Sequence, residues 1–221
     1  MSKIDVFGNH FSGIFKIFLC CILLRNQLLK NSSKRNAGKH LFQSHFPAYN
    51  IYPDDANLLH IEEVRAYFRA EGLEDRIREF KVSSATVELA AQALGCEGKR
   101  IAKSLSFSLN GAPILIVAAG DARVDNAKYK THFAAKAKML SPDEALQLVG
   151  HAVGGVCPFA VNDGVTVYLD ESLRRFETVF PACGSANSAA ELTLPELERL
   201  SRAAGWVDVC KGWNDAAPAE G

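Results

Sequence analysis

The sequence predicts an α/β (α+β) fold in a single domain, with a mixed β-sheet partly wrapped by helices. Three observations predict it. Segments with helical periodicity and well-formed caps alternate with short β-branched or apolar runs. One such run, PILIVAAG (Pro113 to Gly120), is apolar throughout, the pattern of a central strand covered on both faces. The chain has 221 residues, 48% of them hydrophobic, which suits one buried core and excludes disorder of the whole.

The first 57 residues differ in kind from the rest. Lys plus Arg and Asp plus Glu both number 25, so net charge argues neither for nor against nucleic acid. Residues 1–57 carry seven Lys/Arg against three Asp/Glu, a net of +4, which leaves −4 for the remainder. The apolar run Ile17 to Leu24 is far short of the roughly 20 residues that span a bilayer, so no stable membrane association is expected. A secretory signal fits poorly, because Lys16 interrupts the apolar region and no A-x-A-like site follows. The expectation is a poorly structured N-terminal extension over 1–57, a folded domain over 58–213 and a flexible tail over 214–221. A natural start near Leu58 or Leu59, where the first clean helix begins, would make the extension upstream sequence; an organelle transit peptide is the alternative, with few arginines for one.

From residue 60 the punctuation is regular. IEEVRAYFRAEG sets Ile61, Val64 and Phe68 on one helical face, with Gly72 as terminator. TVELAAQALG is a helix with Thr86 as N-cap, Glu88 in the first turn and Gly95 at its end. IAKSLSFSL (Ile101 to Leu109) is a strand, followed by Pro113 to Gly120. SPDEALQLVG carries a capping box of Ser141 and Glu144, Pro142 at the first helical position and Gly150 at the close. VTVYLD (Val165 to Asp170) and FETVFPAC (Phe176 to Cys183) are β-branched and aromatic enough to be strands. TLPELERLSRAAG repeats the capping box with Thr193 and Glu196.

The strand Ile101 to Leu109 holds a chemical anomaly. With period 2, Lys103 shares a face with Ile101, Leu105, Phe107 and Leu109. An ammonium buried without a partner is costly, so Lys103 must meet an anion, line a polar cleft or snorkel out at the strand end. Residues 123–138 hold Arg123, Lys128, Lys130, Lys136 and Lys138 against Asp125 alone, which is either a solvated helix face or a surface that steers a polyanion.

GHAVGGVCPF (residues 150–159) is dense in special backbone residues. Gly154 and Gly155 permit close main-chain approach and Pro158 fixes the chain, so the loop either packs tightly or points backbone groups at a ligand. No G-x-S-x-G elbow is present. Cys157 and His151 resemble a nucleophile and base only in spacing, because nothing supplies an orienting third group. The six cysteines show no CxxC spacing and read as free thiols of a reducing cytosol. The other histidines are scattered, and no metal site or cofactor is implied.

In order and spacing, TVELAAQALG, IAKSLSF, AAGDARVDNAKY, AKMLSPDEALQLVGHAVGGVCPF and VTVYLDESL resemble the YbaK/EbsC family of aminoacyl-tRNA deacylases, related to the editing insertion of bacterial prolyl-tRNA synthetases. The resemblance covers roughly residues 60 to 213. It implies that family's partly closed sheet, and a cytoplasmic hydrolase serving translation fidelity that takes mischarged tRNA at its 3′ aminoacyl-adenosine end. An aminoacyl-tRNA synthetase is the implied possible partner. The family's essential lysine falls on Lys103, and its G-x-x-x-P motif falls on Gly154 to Pro158, Gly155 included, around the scissile ester. His151, Cys157, Asp121 and Asp170 are the implied substrate-binding positions, the two aspartates as open to a structural role as to a functional one. Many relatives carry tyrosine at His151 and glycine at Ala160. Two competing classes are a non-catalytic relative that binds tRNA or a synthetase, and a membrane-tethered form using residues 1–57.

Overall fold

The computed structural model describes residues 53–214, with side chains described from His60 onward. The run Ile17 to Leu24, Cys20 and Cys21 lie outside the described residues. Among the described residues no helix is long and apolar enough to cross a membrane.

Helix α1 spans Pro53–Ala70 and therefore begins ahead of the residue 58 that periodicity suggested. Proline is well suited to a first helical position, where the missing N–H has no intrahelical partner. Ile61, Val64 and Phe68 are buried as one stripe, with the Phe68 ring edge-on to Phe159 at 5.0 Å. A short strand β1 (Ile77–Glu79) precedes helix α2 (Val87–Leu94), whose cap is Thr86: its hydroxyl accepts from Leu89 N at 3.3 Å.

Strands β2 (Ile101–Leu109) and β3 (Ala112–Ala119) form an antiparallel hairpin. It turns at Asn110 (φ 52°) and Gly111 (φ 88°), the positive-φ pair that an Asn-Gly turn prefers. Ile114 to Ala119 are all buried, as a central strand requires. Strand β4 (Arg123–Val124) leads into helix α3 (Asn126–Phe133), capped by Asp125, whose Oδ1 accepts from the amides of Ala127 and Lys128.

Helix α4 opens as the capping box demands, with Ser141 and Glu144 bonded reciprocally over Pro142–Glu144. It then widens into a π-turn over Ala145–Val149, where periodicity predicted ordinary α-helix. The cause is tertiary: Asn162 takes two carbonyls of this end, through its amide to Val149 O at 3.0 Å and its Nδ2 to Gln147 O at 3.2 Å.

Strand β5 (Thr166–Asp170) is followed by a 3₁₀ turn over Glu171–Arg175 and by β6 (Thr178–Pro181). Proline lacks the N–H to extend a ladder, so β6 stops at Pro181 rather than at Cys183. Then come β7 (Ser188–Ala190), β8 (Leu192–Thr193), helix α5 (Leu194–Ser201) with its capping box, β9 (Gly205–Val207) and β10 (Cys210–Lys211). The main sheet has six strands in the order β8-β6-β2-β3-β5-β9; β1 pairs with β7, and β10 with β4. It is mixed: β2–β3 and β6–β8 are antiparallel, while β2–β6, β3–β5 and β5–β9 are parallel.

One gap in this sheet positions everything that follows. Along its outer edge β2 pairs with β6 only at Ile101 and Ala102. At the far end Ser106 O accepts from Leu140 N at 3.0 Å, and Ser108 N donates to Lys138 O at 2.8 Å. Between these attachments the edge is open. Ile101 packs with Ala90 and Phe180, and Phe107 lies 5.4 Å from the Tyr129 ring of α3, so Lys103 sits between two covered patches.

Asp170 is fully buried, with Oδ1 accepting from Ser172 N and Oδ2 from Val209 N, both at 3.0 Å. Asp170→Ala strands two buried amides, and urea unfolding should show a loss of about 2–4 kcal/mol.

Candidate active site

The open edge of β2 forms the floor of a cleft of about 510 Å³. Its walls come from the start of α2 (Thr86, Val87), from Met139, from Phe180 and Ser188, and from Gly154. Of the candidate site residues named from the sequence, Lys103 and Gly154 line it. Gly155, Pro158, Asp121, His151, Cys157 and Asp170 lie outside its lining, which among the described residues includes no Asp, Glu, His or Cys.

Lys103 neither meets an anion nor snorkels out at the strand end. It is half-buried, and its Nζ donates to the Gly120 carbonyl at 2.9 Å. Burial pushes its pKa below the ordinary lysine value; Cys210 and Asp121 oppose that shift, and Arg123 reinforces it. The result is a lysine on the wall of a mostly apolar cleft whose ammonium has a single main-chain oxygen as its anchor.

The glycine-rich loop is shaped by contact. Gly154 adopts φ +97°, where an L side chain is strained. A Cβ at Gly155 would stand 2.8 Å from the main chain of Ser185, so this stretch lies directly on the loop after Cys183. Behind it, Cys157 N donates to His151 Nδ1 at 3.4 Å, which leaves Nε2 to carry the proton. Both side chains are fully buried. Burial pushes the Cys157 thiol up to about 12 and the His151 imidazole down to about 4, so the pair forms a neutral support beneath the loop. A thiol this weakly acidic is no nucleophile at neutral pH. Cys96, Cys157, Cys183 and Cys210 are free thiols.

The two aspartates are taken by the scaffold. Asp170 caps the 3₁₀ turn, as described above. The Asp121 carboxylate forms a two-pronged pair with Arg175, Nη2–Oδ1 at 2.6 Å and Nη1–Oδ2 at 3.0 Å. Within the basic run, Lys128 binds Asp208 Oδ1 at 2.7 Å. Asp125 binds Lys211 at 2.9 Å, and with that bond and its cap amides its carboxyl falls to about 2. Lys138 adjoins Met139 and Leu140 at the rim of the cleft.

The family model of the aminoacyl-tRNA editing domain matches residues 82–200. The protein belongs to this family. It is 54% identical over 154 residues to the uncharacterized protein YwhH of Bacillus subtilis, covering 69% of this chain and 98% of that one. Similarity to proline–tRNA ligase of Lactiplantibacillus plantarum is 25% over 125 residues, 56% of this chain but 22% of the ligase. A solved structure described as a candidate trans-editing enzyme for prolyl tRNA synthetase superposes with a TM-score of 0.63 at 30% identity, covering 69% of this chain and 98% of that one.

Within this editing domain, the surroundings of Lys103 and of the loop include residues that the sequence reading did not single out. Arg175 gave no local signal, because its partner Asp121 lies 54 positions away. Gly120 looked like a strand end, yet its carbonyl receives the lysine. Ala160 adopts φ +49°, the left-handed region that glycine favours. Ala160→Gly should therefore raise stability by about 1 kcal/mol in a denaturant titration. His151 titrates near 4 when folded and near the ordinary 6.5 when unfolded, so the unfolded chain binds the proton first as pH falls. Its contribution, about 3 kcal/mol, is complete above pH 6.5 and lost as pH falls toward 4; His151→Gln should flatten the curve of unfolding free energy against pH in that window.

Proposed function

We propose that this editing domain is a trans-acting aminoacyl-tRNA deacylase, a hydrolase that cleaves the ester of a mischarged tRNA bearing a small amino acid such as Ala, Cys, Ser or Pro. The observation that carries the reading is the meeting of Lys103 and Gly154 in one cleft whose described lining offers no carboxylate, imidazole or thiol.

That composition suits ester hydrolysis by positioning rather than by a nucleophile. An aminoacyl ester is already activated, so the reaction needs a held water, stabilisation of the oxyanion and a pocket of the right size. Water adds to the ester carbonyl carbon, the bond to the ribose oxygen breaks, and free amino acid and tRNA leave. The substrate's own 2′-hydroxyl orients the water, as the resemblance to the deacylases implies. Lys103 anchors the 3′ end electrostatically, and Gly154 gives the loop main chain access to the ester. Gly155 acts from behind by letting the loop lie against Ser185, and Pro158 restricts the chain that follows. Apolar walls from Val87, Met139 and Phe180 favour an uncharged side chain, because an unpaired charge there would lose its hydration. Lys138 beside the rim adds to the sequence-independent attraction that a polyanion needs. This reading places the protein beside the translation apparatus in the cytoplasm, with tRNA as its partner and a synthetase as a further one.

The test is deacylation of a panel of mischarged tRNAs carrying Ala, Cys, Ser and Pro, by the full chain and by Lys103→Ala. One ester should be hydrolysed, and the substitution should slow that reaction by about 100-fold or more without unfolding the protein. No hydrolysis across the panel, or an unaffected Lys103→Ala variant, overturns the proposal, the former in favour of a binding role.

A further inference from the structure

The cation in the cleft has an acidic neighbour that does not take it. Asp121 directly follows Gly120, whose carbonyl accepts from Lys103 Nζ at 2.9 Å, and its charge is felt at Lys103. Among the described residues Lys103 nevertheless forms no salt bridge, because the Asp121 carboxylate is occupied by both prongs of the Arg175 guanidinium.

Arg175 is itself held rigidly. Its Nε donates to Ser172 O at 2.9 Å and its Nη1 also donates to Trp213 O at 3.0 Å, while the guanidinium lies over the rings of Phe176 at 4.8 Å and Trp213 at 5.3 Å. Ser172 Oγ in turn accepts from Ala119 N at 3.1 Å. The residues on either side of Gly120 are thus tied to the same 3₁₀ turn, one through Ser172 and the other through Arg175. Gly120 is wedged from a third side: a Cβ there would stand 2.0 Å from the Gly98 carbonyl. An arrangement this heavily tied holds one carbonyl in place and keeps one carboxylate engaged by Arg175.

We propose that Arg175 is a positioning residue for Lys103: by sequestering the Asp121 carboxylate and fixing the Gly120 peptide, it leaves the Lys103 ammonium unneutralised and directed at the substrate. Without the guanidinium, Asp121 is an unpaired carboxylate beside an unpaired ammonium, and the two combine. The lysine is then drawn out of the cleft as one half of a salt bridge. The other charged or titratable groups acting on Lys103 are Cys210, Arg123 and Glu88, and none of them offers such an exchange of partners. The catalytic consequence rests on the deacylase reading; the electrostatic consequence does not.

Two readouts on the full chain separate these. The first is the rate at which Lys103 is acetylated by acetic anhydride at fixed mild pH, followed by peptide mass spectrometry in wild type, Arg175→Ala and the double variant Arg175→Ala/Asp121→Asn. Pairing with Asp121 lowers the unprotonated fraction, so Arg175→Ala should slow acetylation by about tenfold, and the double variant should recover most of the loss. Simple loosening would expose Lys103 and accelerate the reaction instead. The second readout is deacylation of the preferred ester, expected to fall by about tenfold in Arg175→Ala and to recover in the double variant. Unchanged or faster acetylation in Arg175→Ala, or a double variant no better than the single one, overturns the assignment. If Arg175→Ala does not fold, Arg175→Lys keeps a cation without the two-pronged grip and should move both readouts the same way by a smaller factor. If wild type hydrolyses no ester, the deacylase reading falls while the acetylation arm still decides the role of Arg175.

Discussion

The contact between the Lys103 ammonium and the Gly120 carbonyl is the constraint around which the structure is arranged. A half-buried cation loses hydration, and a single neutral oxygen offsets that loss only when it is held in place. The surrounding architecture supplies the holding. Strand β3 delivers Gly120 at the end of its buried run, and Ser172 and Arg175 grip the residues on either side. Asp170 anchors that turn through the amides of Ser172 and Val209. Ser104 Oγ, next to Lys103 and in the cleft lining, is buried without a partner, so the lysine's one bond to Gly120 is the fixed polar contact of this stretch of β2.

The second half of the site depends on main chain rather than side chain. The loop through Gly154 and Gly155 is pressed against Ser185 and backed by a neutral, fully buried His151 and Cys157. Neutrality matters here, because a charged imidazole in that position would require a counter-ion the packing does not provide. The π-turn at the end of α4, tied down by Asn162, sets where the loop begins. A cleft built from one cation, hydroxyl side chains, main-chain groups and apolar walls is suited to binding and orienting a reactive substrate. It carries no acid–base pair of its own among the described lining residues, which is why an activated ester that brings its own hydroxyl is the chemistry it suits.

Much of the fold was legible because its signals are local. Thr86, Ser141 with Glu144, and Thr193 with Glu196 cap their helices through bonds spanning three residues, and such bonds form wherever those residues occur in order. The apolar run of β3 reported a covered strand. Strands such as β8 and β10, two residues each, are too short for any periodicity to show and exist through their partners. The widened end of α4 was illegible for the same reason, since the amide that stabilises it comes from Asn162.

For the site, alternation along β2 by itself exposed Lys103 as out of place, and the density of glycine and proline marked residues 154–158 as a loop with a purpose. These are properties of single residues against their immediate neighbours, and sequence order determines them. What the lysine meets was decided only by tertiary structure. The Gly120 carbonyl, the Asp121–Arg175 pair and the gap in the sheet between β6 and Leu140 each join segments distant in sequence, and such contacts are fixed by packing, which no local pattern encodes.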